Sequence, residues 1–141
     1  MMSKLKITIK YLFLGVIGSI VYMSLEILWR GYTHWTMGVL GGICFICLGL
    51  INEILSWETP LVLQMFIGGT IITVLELITG CIVNLWLGWN IWNYTWQPNL
   101  WGQISLYSSI GWIGLSLIGI VLDDYLRFWL FHEDKPRYKW I

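Results

Sequence analysis

Four apolar runs, each close to the length of a bilayer crossing, leave this chain few ways to fold. They extend from Tyr11 to Trp29, Met37 to Leu55, Leu61 to Trp86 and Ile104 to Leu122. A helix needs roughly 20 mostly apolar residues to cross a hydrocarbon core of about 30 Å. Backbone in that core must satisfy its own N–H and C=O groups, which leaves helices or a closed barrel, and unbroken apolarity over this length selects the helix. Only 11% of the residues are charged and 57% are hydrophobic, too little polar surface to solvate a globular domain of 141 residues. The expectation is one membrane domain over residues 1–141, an all-α integral membrane four-helix bundle. Past Asp123 and Asp124, the aromatic stretch Tyr125 to Phe131 should extend the fourth helix along the inner interface, giving an extension of about 123–131.

Charge placement gives an orientation. Lys4, Lys6 and Lys10 precede the first run, Arg127, Lys135, Arg137 and Lys139 follow the last, and Arg30 alone lies between spans. Positive charge stays on the cytoplasmic side, so both termini are placed there, in a cell membrane taken to be bacterial. The first run resembles a signal sequence in its basic start, but it is long and ends at no small-residue cleavage site, for the chain has no alanine. It is read as a retained span.

Helices associate in lipid through small and polar residues, and each run carries a stripe of them. On the third run Gly69, Thr73, Glu76, Gly80 and Asn84 recur every three or four residues; on the fourth, Ser105, Ser109, Trp112, Ser116, Gly119 and Asp123 do. Gly38 and Gly42 form a GxxxG pair with Gly49 further along, and Gly15 or Gly18, Tyr22 and Glu26 line the first. The segment Gly18 to Glu26 also aligns without gaps on Gly68 to Glu76, and each copy leads to a Tyr-Thr pair, at Tyr32 and at Tyr94. Two tandem two-helix repeats would be related by a pseudo-twofold axis along the membrane normal.

An ionisable group inside a span costs about 2.5–3.5 kcal/mol when charged at the helix centre, so Glu26 and Glu76 need compensation. Either they face a polar cavity and bind a proton, cation or lipid headgroup, or they are satisfied locally, Glu26 by Arg30 one turn on and Glu76 by Thr73, Thr79 or Asn84. The tryptophan-rich connection from Leu87 to Gln103 reads as an interfacial belt or as a segment folded back over the bundle, because amides at Asn90, Asn93, Gln97, Asn99 and Gln103 are interleaved with its rings. Cys44 and Cys47 lie in an apolar helix, where packing explains them better than redox or zinc chemistry. No metal site, cofactor motif, phosphate loop or hydrolase nucleophile is read, an enzyme is the less favoured class, and so few basic residues argue against nucleic acid.

From Gly69 to Asp123 the chain resembles the type IV ABC-transporter permease family (CmpB-like), which includes small four-helix transmembrane proteins of animals. The resemblance rests on Leu75, Glu76, Thr79 and Gly80, then Trp92, Asn93, Tyr94 and Thr95, then Gly102, Gln103, Ile104 and Trp112. Where the family has Trp-Asp-Tyr-Ser, the aspartate is Asn93 and the serine Thr95 here. The resemblance implies a membrane bundle with a candidate site at Glu76, Trp92, Asn93, Tyr94, Gly102 and Trp112, and a separate ATPase subunit as the source of any energy.

Two functions follow. In one, a small transport or permease-like component uses Glu76 and Glu26, with Thr73, Asn84, Trp92, Asn93, Tyr94, Gly102, Gln103 and Trp112, to bind or pass a small solute, ion or lipid. In the other, a non-transporting module binds lipid or a partner protein and regulates it. Partners on either reading are the bilayer, a second copy of the chain, or a separate ATPase subunit.

Overall fold

A computed structural model describes residues 3–141. It is all-α: helices α1 (Lys4–Arg30), α2 (Trp35–Ile54), α3 (Leu61–Gly80) and α4 (Leu106–Phe131), with the α3 run continuing as a π-helical segment, Cys81–Trp86. Four of these stretches are long and apolar enough to cross a membrane, and the protein is a multi-pass membrane protein. Among the described residues, extended structure is limited to the two-residue strands β1 (Asn99–Leu100) and β2 (Ile104–Ser105), paired antiparallel, and an isolated bridge between Pro60 and Lys139.

Helix ends differ from the apolar runs where capping, rather than hydropathy, decides them. α1 starts at Lys4 because the Ser3 side chain accepts from the Lys6 N–H, and it stops where Gly31 turns left-handed at φ 81°. His34 caps α2 by accepting from the Thr36 N–H at 3.2 Å. α4 passes unbroken through Asp123 and Asp124 to Phe131, so the aromatic stretch is a true helical continuation.

Two compact units divide the chain: one holds the residues up to Ser56 with Gly119–Arg137, the other Trp57–Ile118 with Tyr138–Ile141. In the first, α1 and α2 form an antiparallel pair, with Gly38 facing Met23, Gly41 facing Tyr22 and Gly42 facing Gly15. A methyl group on Gly42 would lie 2.7 Å from the Gly15 carbonyl oxygen, so the GxxxG stripe sets how closely the two backbones approach. Further along α2, Leu48 and Gly49 meet Gly119 and Asp123 of α4.

In the second unit, Gly69 of α3 lies against the backbone of Ile113 in α4, close enough that a Cβ would stand 3.0 Å from its Cα. The chain's last residues cover the start of α3: Leu61 N–H donates to the Lys139 carbonyl and Val62 N–H to that of Trp140, at 2.5 and 3.2 Å. These are donors that a helix start leaves without intrahelical partners.

The burial pattern is that of a protein in lipid. Gln64, Ser116 and Asp123 are fully buried, whereas Val39, Phe66, Val74, Ile78, Ile110 and Ile118 are exposed. Polar groups turn inward because hydrocarbon offers them no hydrogen bonds.

Candidate functional site

Glu76 is the centre of a polar cluster in the second unit. It is 1% exposed. Its Oε2 accepts from the Tyr94 hydroxyl at 3.0 Å and its Oε1 from the Trp112 indole N–H at 3.2 Å. The two donors arrive from different directions in the chain, one from the connection after α3 and one from α4 itself.

Tyr94 reaches the carboxylate because that connection folds back. The turn after the π-helical segment uses Gly88 and Asn90 at positive φ, and a second turn uses Trp101 and Gly102 at φ 56° and 74°. A positive φ at a tryptophan is costly and persists only where surrounding contacts impose it. Here they do: Asn99 Oδ1 accepts from the Gly102 N–H at 2.8 Å, and the Tyr94 N–H donates to the Gly102 carbonyl at 2.9 Å. The wider π-helical turn presents Asn84 to the same cluster, a common use of such turns. Asn84 donates to Gln103 Oε1 at 2.7 Å and accepts from the Ile91 N–H at 2.6 Å. The Trp92 indole donates to the Gln103 carbonyl at 2.9 Å. Gly80 leaves the room: a Cβ there would meet Gln103 and Trp92.

Glu76, Asn84, Trp92, Tyr94, Gly102, Gln103 and Trp112, singled out in the sequence, thus form two hydrogen-bonded sets, one on Glu76 and one on Gln103, joined through the Gly102–Gln103 segment, and the connection folds back to supply Tyr94 to the first and Trp92 to the second. The remaining candidates do something else. Thr73 donates back to the Gly69 carbonyl at 2.8 Å within its own helix. Asn93 is exposed, and its Oδ1 accepts from the Thr95 N–H at 2.8 Å to shape the turn. Glu26 belongs to the other unit and pairs with Arg30 at 2.6 Å. The aligned glutamates of the two sequence copies therefore have unlike surroundings.

A second polar cluster, in the first unit, has no counterpart among the sequence candidates. Arg127, counted among the flanking cations, is only 5% exposed. Its Nε donates to Asp123 Oδ1 at 2.6 Å, Nη2 to Asp124 Oδ1 and to the Gly49 carbonyl, and Nη1 to Glu53 at 2.9 Å and Glu133 at 3.0 Å. Lys10, 6% exposed, ties the same Glu53 and Glu133 at 2.6 and 2.7 Å. Tyr11 donates to Glu53, and Asn52 donates to Asp124 Oδ2 at 2.6 Å. The spacing of Asp123, Asp124 and Arg127, three and four residues apart, was the available signal for this cluster.

Comparison of the chain with protein-family models, with curated proteins and with solved structures finds no match in any of the three. Among the described residues, no group of three or more His, Cys, Asp or Glu side chains could hold a metal ion.

Proposed function

We propose that the protein is a small transport or permease-like membrane component, in which Glu76 is the ligand-accepting group and the segment from Leu87 to Ser105 closes over it. One observation carries this reading: an intramembrane carboxylate is sealed by a tyrosine hydroxyl from a segment that is not itself a span. A purely structural carboxylate could be satisfied from its neighbouring helices, whereas Tyr94 comes from a short fold-back whose release would expose the carboxylate without unpacking α3 from α4. The ligand class that a buried carboxylate accepts is a proton, a small cation or an amine-bearing headgroup.

The arrangement belongs in a cell membrane with both termini in the cytoplasm, as the terminal lysines and arginines favour. Cysteine labelling at Asn93 and at Lys135 should then report opposite faces; reaction of both from one side would reverse that orientation. Within the resemblance to the CmpB-like permease family, energy would come from a separate ATPase subunit. The turn before α3 and the Tyr138–Ile141 end that packs on it offer the docking surface, with Trp57 and Tyr138 edge to face at 6.0 Å.

A second reading is a non-transporting module that binds lipid. It is favoured by the exposed indoles of Trp86, Trp96 and Trp101 around the same segment, rings suited to the headgroup layer. Flux into proteoliposomes with Glu76→Gln decides between them. The amide keeps the side chain's size, yet turns an N–H₂ toward one of two donors that the carboxylate satisfied. Loss of wild-type flux in a folded variant supports transport. A wild-type protein that moves no tested ion or solute while retaining bound lipid supports the second reading and sinks the first.

A further inference from the structure

The charges in the cluster around Arg127 do not balance, and the imbalance can be located. Two cations, Lys10 and Arg127, face four carboxylates, Glu53, Asp123, Asp124 and Glu133. Glu53 and Glu133 retain 23% and 26% side-chain exposure, so water can help to carry their charge. Asp123 and Asp124 have 1% and 0%, and share the single guanidinium of Arg127. Asp124 is complete, with Oδ1 on Arg127 and Oδ2 on Asn52. Asp123 is not: Oδ1 takes the Arg127 Nε–H, while Oδ2 is buried with no hydrogen-bond donor. Asn52 Oδ1, one turn along α2 from the Gly49 that Asp123 abuts, is a second buried acceptor with no donor.

Two carboxylates out of reach of water share one guanidinium, so Asp123 and Asp124 together carry one negative charge more than Arg127 offsets, and Asp123 Oδ2 is the oxygen without a donor. The space around it chooses the ligand. The Asp123 carboxylate is packed so closely on Gly49 that not even a methyl group would fit on that side. A proton needs no room, cancels the charge, and converts the lone acceptor into a donor facing α2.

We propose that Asp123 is a proton-binding site, with the proton held on Oδ2. Arg127 of α4 contacts it directly, and the other charged and polar groups of the same hydrogen-bonded cluster are Asn52 and Glu53 of α2, Asp124 of α4, Lys10 and Tyr11 of α1, and Glu133 beyond α4. The proton is exchanged with bulk solvent by way of the part-exposed Glu53 and Glu133, and its departure leaves Asp123 and Asp124 both ionised beside one arginine. This site is independent of the Glu76 reading.

The chain has three aspartates, Asp123, Asp124 and Asp134, which makes the test direct. Full-length protein labelled with ¹³C at the aspartate carboxyl carbons, in lipid nanodiscs at neutral pH without sodium, should give one carboxyl signal in the protonated range and two in the ionised range. Asp123→Asn, which has the shape of the protonated acid, should remove the protonated signal and leave the two ionised signals of Asp124 and Asp134. Three ionised signals in the wild type would overturn the proposal, and this arm requires no variant to fold. Saturable displacement of the protonated signal by added sodium would overturn it too, since the oxygen would then be a metal-cation ligand.

Discussion

Adding a single methyl group at Gly80 tests whether packing holds the fold-back segment closed. A Cβ there would stand 2.6 Å from Gln103 Oε1, 2.9 Å from Gln103 Cβ and 3.0 Å from Trp92 Cζ2. The Gln103 oxygen has little freedom to retreat, because it accepts from Asn84 at 2.7 Å. Overpacking of this kind costs about 1–3 kcal/mol, and relieving it by surrendering the Asn84–Gln103 bond costs about the same order. The helix-propensity gain of Gly→Ala is present whether the segment is closed or open, so it drops out of the opening equilibrium. Amide hydrogen exchange across residues 87–105 should therefore accelerate roughly 5- to 150-fold in Gly80→Ala, the factor that corresponds to about 1–3 kcal/mol. Gly111→Ala is the control, since nothing lies within 4 Å of a Cβ at that position. Unchanged exchange in Gly80→Ala, or equal acceleration in Gly111→Ala, would refute the reasoning.

Arg127→Met should destabilise the protein by about 3–5 kcal/mol in mixed-micelle unfolding, because it leaves the buried Asp124 carboxylate without its cation and Asp123 Oδ1 without its donor. Arg30→Met, which removes only the part-exposed partner of Glu26, should cost no more than about 1 kcal/mol in the same assay. Gly42→Ala should lower the unfolding midpoint, with a penalty of about 1–3 kcal/mol, since its Cβ meets a backbone carbonyl that cannot rotate away. An unchanged midpoint would mean that α1 and α2 are not packed through the glycine stripe.

The four spans were legible because a long apolar run in a chain this poor in charge has one physical outcome. The inward stripe of α3 was legible for a related reason: Gly69, Thr73, Glu76, Gly80 and Asn84 are the small and polar residues through which helices pack in lipid, and all but the half-buried Thr73 are buried. Membership of the Glu76 site could be read from residue type, but its geometry could not. Tyr94 reaches the carboxylate through turns at Asn90, Trp101 and Gly102 whose signs of φ are set by side-chain caps, and apolar periodicity carries no information about those. The Arg127 cluster escaped for the opposite reason. Lys10, Glu53 and Arg127 sit near helix ends, where charge is ordinarily solvated or sets orientation, and only the packing of α4 on Gly49 shows that this arginine is internal.

Residue-resolved footprinting with a lipid-soluble carbene in proteoliposomes addresses the central claim, that hydrocarbon surrounds the helices and their polar faces meet away from it. Labelling should concentrate on Val39, Phe66, Val74, Ile78, Ile110 and Ile118 and spare Gln64, Glu76, Ser116 and Asp123. Strong labelling at Glu76 or Asp123, or a chain that stays monodisperse in buffer without detergent, would contradict it.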